Sequence, residues 1–381
     1  HGPPLFFCPP DMNTATLDIF LAVSPGLEPV LLQEAREAGF ETARTVAGGV
    51  EFTGGWPDVW RANYFLRGAA RVLVRIAEFP AVHLSQLDKK ARRIAWTDWL
   101  PKGAGLTVSA SCRGSKLYHA GAVQQRVEVA AAEALGGSAN ADDGFRLQVR
   151  IVKNICTISL DTSGELLHRR GFKEAVVKAP MRETLAAMFL RACRYRGDEP
   201  VYDPMCGSGT FVIEAAEIAS GLPAGRGRSF PFEQFPSFDA AGWADVKASA
   251  VSRSPGFVLA GSDRDAGAVK AASANAERAG VDAVTQFTQG DVRDAVPPEG
   301  PPGLVMINPP YGARIGNRKA LYPVYHALGE TLRTRFSGWR AGLVTSDEAL
   351  ARAARLPFDR PGPPVDHGGI KIRLYQTRPL P

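Results

Sequence analysis

The chain has 381 residues, 45% of them hydrophobic and 22% charged, which is room for two or three domains and an ordinary globular balance. No apolar run approaches the ~20 residues of a membrane-spanning helix. The five cysteines (Cys8, Cys112, Cys156, Cys193, Cys206) include no C-x-x-C pair, which argues against a zinc site or disulfide framework and for a reducing cytoplasm. The net charge of +6 is compatible with a nucleic-acid partner and does not establish one.

Residues 1–14 read as a disordered lead, because Leu5-Phe6-Phe7 is too short and too proline-flanked for a signal-peptide core. A first mixed α/β unit is expected over 15–104. Its strands fall near Leu17 to Val23, Val50 to Phe52 and Arg71 to Ile76. Its helices run from Pro25 to Ala38, with Leu27, Val30, Leu31 and Ala35 on one face, and from Pro57 to Leu66. A second unit is expected over 105–167. It comprises a strand from Leu106 to Ser111, a helix from Gly121 to Leu135, and a hairpin of Phe145 to Val152 and Asn154 to Leu160 turning near Lys153. Arg113, Ser115, Lys116, Tyr118 and Arg126 gather around that helix start, where phosphate is attracted; a solvated helix face is the plainer alternative.

Residues 168–196 join these units to the C-terminal half. His168-Arg169-Arg170-Gly171 is a compact basic turn, and Pro180 opens a helix with Glu183 in its first turn, suited to covering a cofactor pocket. From 197 to 381 strands and helices alternate, the pattern of a mostly parallel, doubly wound sheet. The strand at Pro200-Val201-Tyr202 runs into Asp203-Pro204-Met205-Cys206-Gly207-Ser208-Gly209-Thr210 and then a helix, Phe211 to Ser220. Gly207 and Gly209 are expected to let the backbone bend and approach a ligand. The string is neither G-x-x-x-x-G-K-[ST] nor G-x-G-x-x-G, which favours a nucleoside-type cofactor over a dinucleotide. An insertion over 221–255, rich in Arg, Phe and Pro, is expected to pack on the edge of this domain. Later strands end at Asp263, near Asp291, and at Asn308. An acidic residue one strand after a glycine loop suits ribose hydroxyls, and Asp291 suits an adenine amino group; a helix cap is the plain alternative for each aspartate.

The stretch GLVMINPPYG, Gly303 to Gly312, is the most informative. Leu304 to Ile307 reads as a buried strand, which Pro309 and Pro310 stop because proline cannot donate to a ladder. The turn then presents an amide (Asn308), a carbonyl (Pro309) and a ring (Tyr311). Two acceptors can take both protons of one exocyclic NH2 while the ring stacks on the base that carries it. No Ser, Cys or His set resembles a nucleophilic triad, and neither His326 nor His367 has a metal-ligand partner, so no metal is expected.

DPMCGSGT followed by GSDRD, GDVRD and NPPYG resembles the class I S-adenosylmethionine-dependent methyltransferases that act on exocyclic amines. LLHRRGF, KAPMRETLAA and RSFPFEQFPSFD extend the resemblance to the THUMP-containing guanine-N2 methyltransferases of large-subunit ribosomal RNA, over nearly the whole chain from Leu17. The resemblance implies an N-terminal ferredoxin-like unit, a THUMP RNA-binding unit and a C-terminal Rossmann-like methyltransferase domain. Relatives with a second methyltransferase half exist; with the chain stopping at Pro381, only the guanine-N2 activity is expected. Asp203, Cys206, Gly207 and Gly209 would wrap the methionine end of S-adenosylmethionine, with Met205, Thr210, Pro180, Thr184 and Asn308 also on the cofactor side. Asp263 would take the ribose and Asp291 the adenine, while Asn308, Pro309, Pro310 and Tyr311 would hold the target base. Arg113, Lys116, Arg126, Lys153, Arg169 and Arg170 would contact RNA. The implied enzyme is a cytoplasmic monomer without membrane or metal partners. Other readings are a tRNA guanine-N2 methyltransferase, a DNA adenine-N6 methyltransferase and a non-catalytic RNA-binding protein.

Overall fold

The computed structural model describes residues 16–174, 181–311 and 318–381. Its strands are β1 (Leu17–Ala22), β2 (Arg44–Val46), β3 (Gly49–Gly54), β4 (Arg71–Pro80), β5 (Leu106–Arg113), β6 (Phe145–Val152), β7 (Ile155–Asp161), β8 (Val201–Asp203), β9 (Leu259–Asp263), β10 (Thr285–Gln289), β11 (Leu304–Ile307), β12 (Arg340–Thr345), β13 (Val365–His367) and β14 (Ile370–Gln376). The helices are α1 (Glu28–Glu37), α2 (Trp56–Phe65), α3 (Leu84–Ala91), α4 (Trp96–Trp99), α5 (Ala120–Leu135), α6 (Glu183–Ala192), α7 (Thr210–Ala219), α8 (Ala240–Ala248), α9 (Ala266–Ala279), α10 (Tyr322–Arg335) and α11 (Glu348–Ala353). The described residues divide into two compact units, one holding 16–22, 35–167 and 228–249, the other drawn from 23–34, 168–227 and 250–381.

The first unit is built on one sheet in the order β2-β3-β1-β4-β7-β6-β5. The two N-terminal units expected from the sequence are joined in it by β4, which is longer than its apolar pattern suggests. Leu73 to Arg75 pair with β1 on one side and β7 on the other, and the strand bulges between Arg75 and Ala77. Alternation is clean: Leu17, Ile19 and Leu21 of β1 are buried, as are Leu147, Val149 and Ile151 of β6. The β6–β7 hairpin turns at Lys153 (φ 50°) and Asn154 (φ 67°), the pair of left-handed residues that a two-residue type I′ turn demands.

The insertion departs from its expected place. Residues 228–249 group with the first unit, not with the edge of the methyltransferase domain. The reason is an aromatic stripe on α2, where Trp56, Trp60 and Tyr64 recur every four residues and so share one helix face. Phe235 packs on Trp56 (5.8 Å between ring centroids), Phe238 on Trp60 (6.0 Å) and Trp243 on Tyr64 (5.3 Å). Residues 23–34 group with the second unit. There Gly26 (φ +98°) lies so close to Pro363 and Pro364 that a Cβ would come within 3.1 Å of the Pro364 carbonyl.

The second unit has the sheet order β10-β9-β8-β11-β12-β14-β13. Strands β8 to β12 run parallel, and β14 closes antiparallel on β12. All four residues of β11 are buried, which is why it reads as an unbroken apolar run. Tyr325, Leu328, Leu332 and Phe336 join Val305, Ile307 and Leu343 in one core. Strand order reverses between β8 and β11. In an open α/β sheet that reversal leaves a crevice at the carboxyl ends of the strands, so the ends of β8 and β11 are where a ligand belongs.

Candidate active site

The glycine loop after β8 is held by its own backbone and by its neighbours. The Met205 N–H donates to Asp203 Oδ1 (3.0 Å), the Cys206 N–H to the Ser262 carbonyl (3.0 Å), and the Gly207 N–H to Asp263 Oδ2 (3.0 Å). Asn275 Nδ2 of α9 donates to the Ser208 carbonyl (3.1 Å). Gly207 and Gly209 both have left-handed backbones, φ 52° and 84°. The Cα of Gly209 also faces neighbouring protein. A Cβ there would meet Ala272, the Phe287 ring and Ile213 at 3.1–3.2 Å, so this glycine serves the turn and the packing of the loop against protein.

Acceptors dominate here. Asp203 is 2% exposed, and burial, with the nearby Asp263 charge adding to it, pushes its carboxyl up to about 8. Asp263 also accepts from the Asp265 N–H (3.0 Å). Asp291 caps the short turn Val292–Asp294 by accepting from the Arg293 N–H (3.0 Å), and its carboxylate lies 3.4 Å from Arg293 Nε. The cap is thus what the structure displays for Asp291. Burial raises the Cys206 thiol well above its ordinary value, so it stays protonated and is no nucleophile. The Asp263 and Asp291 carboxylates, with the buried Asp203 carboxyl at the preceding strand end, disfavour phosphate and favour a ligand rich in hydroxyl and amine donors that carries positive charge. An amino-acid nucleoside sulfonium fits that donor set, and a dinucleotide pyrophosphate does not.

At the end of β11, Pro309 is buried and Asn308, Pro310 and Tyr311 are half-buried. Asn308 Oδ1 is a buried acceptor with no hydrogen-bond partner among the described residues, an arrangement that costs stability unless a ligand supplies a donor. Burial raises the Tyr311 hydroxyl to about 12. The turn is anchored from α10. Tyr325 Oη lies 3.2 Å from both the Pro310 carbonyl and Thr345 Oγ1. Its single proton goes to the carbonyl, which can only accept, and Thr345 can supply the other bond.

Sequence reasoning missed Tyr325, which reads there as one more apolar residue of an amphipathic helix. It also missed Lys173. This ammonium meets Thr210 Oγ1 (2.8 Å) at the start of α7, the Met181 carbonyl (3.1 Å) and the Glu183 carboxylate (3.0 Å). Thr184 is buried in the first turn of α6, and Met205 is partly buried against the core. Pro180 lies outside the described residues.

Among the residues expected at RNA, Arg113, Lys116 and Lys153 come together. The Lys153 N–H donates to the Arg113 carbonyl (3.2 Å), and the Lys116 N–H donates to Asn154 Oδ1 (2.8 Å) on the adjoining hairpin turn. Arg126 is exposed on α5, well past the helix start where it was expected, and Arg169 is exposed. Arg170 is a correction. It is 1% exposed, and its guanidinium is locked onto Glu214 of α7 (Nε to Oε1 2.9 Å), so it cannot reach an RNA phosphate. A local basic run gives no sign of which arginine turns inward.

Comparison with known proteins accords with this geometry. Residues 170–360 match the family model described as RMKL-like, methyltransferase domain; residues 18–73 match the RlmL ferredoxin-like domain and 81–161 the THUMP domain. The Synechocystis sp. protein slr0064, provisionally named an RNA methyltransferase, is 30% identical over 96% of this chain and 97% of its own length. The ribosomal RNA large subunit methyltransferase K/L of Syntrophotalea carbinolica is 36% identical over 89% of this chain but 50% of its own length, so the chain spans about half of such relatives. The solved structure of SMU.472, provisionally called a methyltransferase and complexed with SAH, superposes with a TM-score of 0.86 at 27% identity, covering 96% of this chain and 99% of that one. On these matches the chain belongs to the RMKL-like methyltransferase family and is an enzyme that takes S-adenosylmethionine as its methyl donor.

Proposed function

We propose that the enzyme methylates the exocyclic N2 of a guanine in large-subunit ribosomal RNA. The observation that carries this reading is the buried, unpartnered Asn308 Oδ1 at the end of β11, beside the reversal of strand order. It asks for an N–H donor at the place where a substrate belongs. The Pro309 carbonyl offers a second acceptor, and two acceptors match one NH2 group. The names of the K/L relatives and the THUMP match over 81–161 support an RNA substrate and, within RNA, the large ribosomal subunit. No helix among the described residues is long and apolar enough to cross a membrane.

S-adenosylmethionine supplies, when bound, a methyl group on a positively charged sulfur. Asp203, Cys206 and Gly207 would hold its methionine end, with Met205, Thr210 and Thr184 nearby, Asp263 its ribose and Asp291 its adenine. The chain's task is then positional. The guanine N2 lone pair is delocalised into the ring and is a poor nucleophile. Asn308 Oδ1 and the Pro309 carbonyl would grip both amine protons and turn the lone pair towards the methyl. Tyr311 would hold the base plane by stacking, while Tyr325 and Pro310 keep the turn from yielding. Orientation of this kind contributes several kcal/mol, within the roughly 7–11 kcal/mol reached by well-aligned intramolecular reactions. The amine gains acidity as it is methylated, so its proton can leave without a strong base. The Tyr311 hydroxyl, raised to about 12, stays protonated and is not that base. A paired guanine would first be flipped from its helix.

The test is transfer of labelled methyl from S-adenosylmethionine to unmodified large-subunit rRNA, tRNA and DNA in parallel, with nucleoside analysis of each product. N2-methylguanosine in the rRNA is expected. The same product in tRNA alone would move the target, and N6-methyladenine in DNA would overturn the substrate class.

A further inference from the structure

The first half of the glycine loop is held by Asp203, Ser262 and Asp263, but its second half has little of its own to fix it. Gly207 and Gly209 have left-handed backbones, and Gly209 offers no side chain to cap the start of α7. Glycine backbone has weak preferences, so contacts from elsewhere must choose the form of residues 208–210. Ties reach both ends of this arc, and both start from Phe172 and Lys173 in the junction ahead of α6. One is the Lys173 ammonium, whose three donors meet Thr210 Oγ1 (2.8 Å) at the first residue of α7, the Met181 carbonyl (3.1 Å) and Glu183 Oε1 (3.0 Å) at the first residue of α6. Only 14% of its side chain is exposed. A cation placed at two helix N-termini opposes both macrodipoles, and Glu183 is there to offset it. What this lysine contributes is therefore position: it fixes where α7 begins relative to α6, which packs on it.

The other tie runs through α9. Arg278 Nε donates to the Phe172 carbonyl (2.9 Å) and Arg278 Nη2 to Asn275 Oδ1, while the buried Asn275 donates from Nδ2 to the Ser208 carbonyl (3.1 Å). One planar guanidinium thus links the junction to the amide that holds the loop. The junction is itself seated. Arg170 is locked onto Glu214 of α7, and the Arg226 guanidinium lies 4.7 Å from the centre of the Phe172 ring.

We propose that Lys173 and Arg278 are positioning residues for S-adenosylmethionine, holding residues 208–210 in the form that accepts its methionine end. The proposal rests on the placement of that end at the glycine loop and deepens it. Neither residue needs to touch the cofactor: Lys173 acts through Thr210, and Arg278 through Asn275 and Ser208.

The test is calorimetric titration of S-adenosylhomocysteine into the full chain, with urea unfolding and steady-state methylation of the accepting RNA alongside. The variants are Lys173→Met/Glu183→Gln, which removes the tie without stranding a carboxylate, Arg278→Met, Thr210→Val, and the triple Lys173→Met/Glu183→Gln/Thr210→Val. The first two should each weaken binding about threefold to thirtyfold, the scale of one or two lost hydrogen bonds. KM for S-adenosylmethionine should rise in proportion while kcat at saturation stays within about twofold. Adding Thr210→Val to the Lys173 variant should cost little further affinity, because both changes break the same tie. Wild-type affinity in the first two variants would overturn the proposal, as would losses that follow the urea midpoint or that add fully with Thr210→Val. Asp263→Ala separates this proposal from the one beneath it. If that variant alone loses affinity, the loop holds the cofactor and only the ties fall; if it binds as the wild type does and so do the tie variants, both readings fall.

Discussion

Replacing Asp203 with Asn should protect the ligand-free protein against alkaline pH. The Asp203 carboxyl is buried at the end of β8, where loss of solvation and then the neighbouring Asp263 charge raise it from 3.8 to about 8. The folded state thus keeps its proton over an interval in which the unfolded chain has lost it. Stability from this group is complete at acid pH and is lost as pH rises, with a slope near 1.4 kcal/mol per unit between the two values. From about pH 6 to pH 8 the wild type should lose roughly 2 kcal/mol to this single proton, or about 4–8 °C in Tm for a domain of 150–250 residues. Asn keeps an acceptor for the Met205 N–H and carries no charge. The assay is thermal unfolding of both proteins without cofactor across this range. Parallel Tm profiles would refute the reasoning, because they would put the titration elsewhere or show that Asp203 stays hydrated.

The geometry sets four further outcomes. Asn308→Ala should cut turnover by about a hundredfold or more, on the scale of losing one well-placed polar group, with S-adenosylhomocysteine affinity retained by calorimetry; an equal loss of affinity would mean that Asn308 serves the cofactor. Tyr325→Phe removes one hydrogen bond from the Pro310 carbonyl, worth about 0.5–1.5 kcal/mol; kcat should fall about two- to tenfold without a change in cofactor Kd, and unchanged kcat would end its anchoring role. Arg170→Met should cost about 3–5 kcal/mol by breaking a buried ion pair, and adding Glu214→Leu should recover most of it; a single variant as stable as wild type in urea would show that the pair is not buried in solution. Phe232→Ala should cost about 3–5 kcal/mol, because its ring is enclosed by Trp60, Phe230 and Trp243; a loss below about 1 kcal/mol by chemical denaturation would show that the segment does not help hold the first unit together.

Sequence alone determined what depends on neighbours along the chain. The apolar run Leu304 to Ile307 and its proline stop specified β11 and the turn behind it, because burial on both faces and the missing proline N–H leave no other element. Alternation specified β1, β5 and β6, and the apolar face of Leu27, Val30, Leu31 and Ala35 specified α1. Sequence also ranked DPMCGSGT and NPPYG as the chemistry-bearing strings. Tertiary structure decided what depends on residues far apart. The stripe Trp56, Trp60 and Tyr64 finds its partners more than 160 residues later, so residues 228–249 join the first unit although their flanks belong to the second. Arg170 and Arg169 are neighbours in a basic run, yet Glu214 captures one of them and leaves the other exposed. That a side chain at Gly209 would run into Ala272 and Phe287 is visible only once α9 and β10 are packed beside it. Asn308 becomes informative only when packing buries its oxygen without a partner, since whether a polar atom is satisfied is a property of the assembled surroundings and not of the string that contains it.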